Sequence, residues 1–293
     1  EFVLDDPDLI AEQNKPSLYD TYDASKLSKN LILGGVRNTR GWMDVCQQST
    51  GLPVYDYFEK IQHNAMVYED NTRIQLNPIY KYIEENYGVP INELDKTEMR
   101  MIQSVGQGLR SRNDLSEKGR GLLDVLKSVL NDKDFVMEGK LVRYNQWAEK
   151  GVKPKGVDIN DLELLKTTLD EQGYGAFREL LDKTEGFTIP DNYMPNLSEN
   201  RVLENGNMPD NMRIHAGTGV SKSREDVGAK EGNAVTQVIR KVKAQNKLYY
   251  LDPSIEPMRA IIKNADMDRV ITDNLTNYIK EVYYKPEGGA VQG

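Results

Sequence analysis

The sequence predicts an all-α fold, and three observations carry that prediction. Apolar residues recur at helical spacing through most of the chain. No stretch sustains the period-2 alternation of a half-buried strand. Capping residues open the periodic stretches, and glycines or prolines close them. Composition refines the picture: 38% hydrophobic and 29% charged residues, with a mean hydropathy of -0.64, fit elongated and well-solvated helices. The 16 tyrosines against 5 phenylalanines suit half-buried surfaces, where the ring packs and the hydroxyl stays wet.

Residues 1–22 carry two prolines, many acids and little periodicity, so they read as an extended N-terminal arm. Its Phe2, Val3, Leu4 and Ile10 either lie along another subunit or belong to a frayed terminus. A helical region over 23–150 follows. Asp23 caps a short helix through Leu33, ended by Gly34 and Gly35, and a second short helix spans Trp42 to Gln48. Pro53 takes the favoured first-turn position of a helix whose Val54, Tyr57, Phe58, Ile61, Ala65 and Tyr68 share a face. Leu76, Ile79, Tyr80, Ile83 and Tyr87 mark a further face, which Gly88 terminates.

Thr97 to Arg112 reads as a helix through Met101, Ile102, Val105 and Leu109, weakened by Gly106 and Gly108 at about 1 kcal/mol each. Those glycines also permit close helix approach. Ser116 opens a stronger helix with Leu122, Leu123, Val125, Leu126, Val129 and Leu130 inward. Asn131 to Lys140 is charged and reads as broken, with a short helix from Tyr144 to Lys150. Gly151 to Gly156 (GVKPKG) is the linker candidate, leading to a second helical region over 157–285. Asp158 caps its first helix, carrying Leu162, Leu165 and Leu169. Three helices close the region, through Val235 to Tyr249, Ile255 to Ile262 and Met267 to Val282. Residues 286–293 form a glycine-rich flexible tail, and both ends look like cuts in a longer chain.

The stretch from Gly173 to Lys222 interrupts this pattern. Tyr174, Phe177, Leu180 and Leu181 mark a short amphipathic helix that Gly186 stops. Pro190 and Pro195 keep the chain extended across Asn192, Tyr193 and Met194, so those apolar side chains must lie against something. The loop over 186–233 is long and polar, the length at which loops are functional, clamped by a partner or disordered.

Several chemistries are excluded or left weak. Ala216-Gly217-Thr218-Gly219-Val220-Ser221-Lys222-Ser223 looks like a phosphate loop, but Ala216 and Ser221 stand where glycines are needed and no strand precedes it. His63, His215 and Cys46 show no paired ligand spacing, and two histidines give little scope for a nucleophile-base pair. No cofactor is indicated, nor a small-molecule substrate. The single cysteine rules out an internal disulfide, and no apolar run approaches the length of a membrane span. A net charge of -8 with a pI near 5.1 argues against a dedicated nucleic-acid-binding module. Two basic clusters stand out on that background. One holds Arg100, Arg110, Arg112, Lys118 and Arg120, and the other Arg240, Lys241, Lys243 and Lys247. They are read as solvated faces, as contacts for DNA or another anion through Arg110, Arg112, Arg120, Arg240, Lys241 and Lys243, as a membrane contact through anionic lipid, or as partners for the acids of a neighbouring subunit. Tyr249-Tyr250 and Tyr283-Tyr284 suit an interface or ordinary helix-end packing.

The order helix pair, glycine, N-Y-x-P extended segment resembles the helical regions of phage large polyvalent proteins and internal virion (ejection) proteins. In those, the segment is followed by a basic K-x-R spot and a helix of the form N-P-V-x-x-hydrophobic. The matching residues here are Asn192, Tyr193 and Pro195; Lys222 with Arg224; and Asn233-Ala234-Val235, opening a helix that ends in Leu248-Tyr249-Tyr250-Leu251-Asp252-Pro253. The likeness covers residues 140–284. It implies architectural rather than catalytic roles: Tyr193, Met194 and Pro195 lay the segment across the helices, and Arg224 anchors the loop on a carboxylate. It implies a non-enzymatic virion protein of the capsid interior, delivered toward the host envelope or cytoplasm. Its partners would be copies of itself, other virion proteins and, transiently, phage DNA.

Two alternatives are weighed beside it, a host-protein-binding phage module and a peptidoglycan-cleaving fragment. The latter is usually marked by a glutamate before a Gly-Leu-Met-Gln-like run. The nearest run here, Gln103 to Leu109, lacks both the glutamate and the order.

Overall fold

The computed structural model describes residues 39–154, 156–187, 193–195, 233–265, 267 and 269–284. The arm 1–22, the helix expected over 23–33, Arg224, the phosphate-loop-like run, most of the 186–233 loop and the tail 286–293 lie outside the described residues. The fold is all-α: among the described residues there are helices and turns and no strand. The α-helices are α1 (Thr39–Thr50), α2 (Val54–Asn86), α3 (Lys96–Gly106), α4 (Glu117–Leu130), α5 (Lys133–Lys150), α6 (Ile159–Gln172), α7 (Tyr174–Lys183), α8 (Ala234–Asn246), α9 (Asp252–Asn264) and α10 (Arg269–Tyr284). A π turn, Lys247–Leu251, lies between α8 and α9.

The chain forms two compact units, residues 1–66 with 251–293, and residues 67–250. The divisions fall inside α2 and the π turn, whereas 151–156 lies within the second unit. In the first unit Gln47 Oε1 accepts from the backbone N–H groups of Tyr55 and Asp56 at 2.8 and 3.2 Å, capping the open end of α2. Phe58 stacks on Tyr278 with ring centroids 5.3 Å apart, and Gln62 Nε2 donates to the Tyr278 hydroxyl at 2.7 Å. Burial pushes that phenol up to about 12.

The second unit holds two apolar clusters. The larger gathers Leu76, Ile79 and Ile83 of α2 with residues of α3, α4 and α8, among them Ile102, Leu122, Leu126, Val235, Val238 and Val242. The smaller joins Leu141 and Tyr144 of α5 to Leu162, Leu165, Phe177 and Leu181 of α6 and α7. Val157 belongs to this second cluster, so the GVKPKG connection is seated between packed helices rather than hung between separate domains. α8 packs against α3, α4 and α5, and nine of its positions are buried.

Local chemistry explains most boundaries. Ser116 Oγ accepts from Gly119 N at 2.9 Å, Asp158 Oδ1 from Asn160 N at 2.8 Å, and Asn233 Oδ1 from Val235 N at 2.9 Å. Each such cap stabilises its helix by about 1 kcal/mol.

Three expectations need correction. The helix expected over Thr97–Arg112 ends at Gly106, because Gly108 turns the chain at φ +73°, a conformation that favours glycine. Leu109 therefore leaves the helical face and is 69% exposed. The break expected over Asn131–Lys140 is instead the first half of α5. Asp132 caps it by accepting from Asp134 N and Phe135 N, and Phe135 anchors it in the larger cluster. α7 stops at Lys183, before Gly186, with Thr184 Oγ1 donating to Leu180 O at 2.8 Å.

Candidate functional site

Two features of the second unit stand out: the non-helical segment Tyr193–Pro195, and a polar seam along α8. Proline at 195 cannot donate a backbone hydrogen bond, so the segment is held through its carbonyls and its side chains. Gln103 Nε2 of α3 donates to Pro195 O at 2.7 Å, and Lys127 Nζ of α4 donates to Tyr193 O at 2.9 Å. Between these anchors Met194 enters the larger apolar cluster and is 5% exposed. Its seat depends on Gly106. A Cβ there would collide with Met194 Cγ and stand 3.0 Å from Sδ and 3.1 Å from Leu123 Cδ1. Close approach is thus one purpose of Gly106, a role the sequence led us to expect.

The seam consists of Gln237, Lys241, Gln245 and Asn246, all buried. The first three sit four residues apart, so they stack one turn above another on a single face of α8. Gln245 Nε2 donates to Phe135 O at 2.6 Å. A Cβ on Gly139 would meet Gln245 Oε1 at 2.7 Å, so glycine there lets α5 and α8 approach closely. Asn246 Nδ2 donates to Thr72 Oγ1 and Gln75 Oε1, both at 2.9 Å. Tyr250 hydroxyl donates to Glu138 Oε1 at 2.6 Å. Burial raises the Glu138 carboxyl above the usual range, although the Tyr250 hydrogen bond pulls the other way. Burial and that bond to Glu138 both raise the Tyr250 phenol.

Lys241 is the exception in the seam. It is 1% exposed, and among the described residues its only polar side-chain atom, Nζ, meets no hydrogen-bond partner, whereas Gln245 and Asn246 leave only their amide oxygens unpaired. Burial first, and then the Arg143 guanidinium, push its amine well below the usual lysine value. The Tyr193 hydroxyl is likewise buried without a partner, and burial pushes it up to about 12 against the opposing pull of Arg143. Lys140 shows the ordinary solution for a buried lysine. At 5% exposure its Nζ donates to Asp182 Oδ1 at 2.7 Å and to Asp182 O at 2.9 Å.

The structure separates the sequence-predicted residues into different settings. Tyr193, Met194 and Pro195 come together on α3 and α4 as anticipated. Tyr249 and Tyr250 stack edge-to-face with centroids 4.8 Å apart. Tyr249 packs on the smaller cluster and Tyr250 on Glu138, so both serve packing inside the unit. The second basic cluster is not a solvated face: Lys241 is buried and Arg240 and Lys243 are half-buried, because α8 is surrounded by three helices. In the first cluster Arg110 is exposed and Arg120 half-buried. Arg112 is held by Asp124 through two bonds of 2.7 and 2.5 Å, which also lower the Asp124 carboxyl.

His63 is exposed, and burial pushes the Cys46 thiol up to about 12, so it stays protonated and unreactive. Among the described residues no cluster of histidine, cysteine and carboxylates could hold a metal. Nor is any helix among them long and apolar enough to cross a membrane. Sequence reasoning missed Arg143, which lay in the stretch between the expected break and the short helix. Its signal is the four-residue step from Gly139, which repeats the step from Gln245 back to Lys241. Comparison of the chain with family models, with curated proteins and with solved structures finds no match.

Proposed function

We propose that the chain is a non-enzymatic structural component of a bacteriophage particle. In this reading it is an internal virion or ejection protein that assembles with copies of itself and with other virion proteins into a genome-delivery conduit. It resides in the capsid interior and is carried toward the host envelope or cytoplasm when the genome leaves.

The observation that supports this reading most is the seating of Tyr193–Pro195. Two of the three residues that carry the N-Y-x-P resemblance, Tyr193 and Pro195, are those whose carbonyls Lys127 and Gln103 grip, and Met194 fills the seat between them. An architectural role for the motif demands that arrangement. The all-helical build supports it too, since packed helices with narrow apolar stripes can slide and repack in ways a sheet core resists. The Gln103–Leu109 run offers no acid, and its first side chain is engaged with Pro195 O, which favours a structural over a hydrolytic role.

Light scattering coupled to size exclusion, at rising protein concentration, tests the proposal. A discrete ring-sized oligomer is expected, either alone or when other proteins of the particle seed it. A chain that stays monomeric under both conditions overturns it.

A further inference from the structure

The antiparallel register of α5 and α8 fixes what faces Lys241. Glu138 meets Tyr250 and Gly139 meets Gln245. One turn further along α5 is Arg143, and one turn back along α8 is Lys241, which brings the guanidinium level with the amine. The segment clamped by Lys127 adds the Tyr193 hydroxyl, and the Arg143 charge acts on both groups. Arg143 of α5 therefore stands level with Lys241 of α8, and its charge also reaches the buried Tyr193 hydroxyl. Among the described residues the Lys241 amine and the Tyr193 hydroxyl meet no acceptor.

We propose that Lys241, Arg143 and Tyr193 form a binding site for a small oxyanion of the phosphate, sulfate or carboxylate type. The chemistry is complementary on each count. The Lys241 ammonium offers three N–H donors and the Tyr193 phenol one, the Arg143 guanidinium adds positive charge beside them, and oxyanions are acceptors. Lys140 shows what the fold does with a lysine that has a carboxylate of its own: it pairs it with Asp182. Lys241 is built into the same unit without one.

A further consequence distinguishes this site from loose surface binding. Because the buried amine sheds its proton readily, an anion arriving there draws one proton from solvent onto Lys241.

The test uses the full chain in a buffer free of phosphate and carboxylate. Sodium sulfate is titrated against sodium chloride at matched ionic strength while the thermal midpoint is followed. Sulfate also stabilises proteins by exclusion from their surface, without saturating, so the reading is the difference from Lys241→Met. A saturable rise in midpoint is expected in the wild type and is lost in Lys241→Met. Calorimetry in two buffers of different ionisation enthalpy should report proton uptake accompanying sulfate binding at a pH below the ordinary lysine value. Phosphate and acetate arms then separate tetrahedral from carboxylate preference. Should Lys241→Met fail to fold, lysine-labelled wild-type protein carries the test, its Lys241 ε-carbon resonance moving to the ammonium position on adding sulfate. Equal midpoint shifts in both proteins, or an ε-carbon resonance that ignores sulfate, overturn the proposal.

Discussion

Lys140 and Lys241 are nearly identical in burial and opposite in partnership, and that contrast has measurable consequences residue by residue. The folded-state value of the Lys241 amine lies below the ordinary 10.5. Between those two values the unfolded chain binds the extra proton and the folded chain does not, so stability rises with pH across the window. It is lost again as pH falls toward the folded-state value. The groups that face Lys241 do not blur this: a guanidinium keeps its proton, and Tyr193 ionises only near 12. In buffer free of oxyanions, each pH step of one inside the window should add ~1.4 kcal/mol. Urea unfolding midpoints should therefore rise in the wild type as pH climbs toward the ordinary lysine value, and stay flat in Lys241→Met. The Lys140 pair runs the other way. The hydrogen bond from Lys140 holds the Asp182 carboxyl below its ordinary 3.8, so its contribution is present above that value and vanishes as pH falls through the folded one. Asp182 is 63% exposed and its backbone carbonyl still binds Lys140, so solvent screening keeps the cost of Asp182→Asn to about 1 kcal/mol. Acid titration of the variant's stability should be correspondingly flatter.

Among elements, the clamp is where glycine placement and side-chain packing must agree. Gly106→Ala improves helix propensity by about 1 kcal/mol, yet the added methyl drives into Met194, and overpacking of that kind costs ~1–3 kcal/mol. Met194→Ala empties the same seat and costs ~2–3 kcal/mol. Combined, the alanine at 106 occupies room that methionine has left. The double variant should fall short of the summed costs by at least about 1 kcal/mol in urea denaturation. Strict additivity would mean that the segment does not rest on α3. Much of this level was legible beforehand: Ser116, Asp158 and Asn233 read as caps and act as caps, and Tyr193–Pro195 lies outside any helix. What escaped was set by tertiary contact. The charged run before Lys140 reads as broken until Phe135 and the Asp182 pair are in place, and Lys241 reads as surface until three helices enclose α8. Leu109 failed for a local reason, the turn at Gly108.

At the scale of the whole molecule, the charge balance decides how a conduit built of this chain would treat DNA. A net charge of -8 opposes a duplex at long range, while Arg110 and Arg120 stand in the first basic cluster with, among the described residues, no carboxylate grip like that of Asp124 on Arg112. Each phosphate neutralised adds affinity and, with it, drag on a moving genome, so a passage that must let DNA slide is better served by few contacts than by many. Removing Lys241 from the surface count and tying up Arg112 both move the chain in that direction. Binding to a short duplex should accordingly be weak, indifferent to sequence and abolished between about 50 and about 200 mM salt. Arg110→Ala with Arg120→Ala should lower the slope of log affinity against log salt by about 2, measured by fluorescence anisotropy. A steep slope unaffected by those two changes would place the contacts elsewhere on the chain. Sequence-selective binding that survives high salt would contradict the sliding role itself.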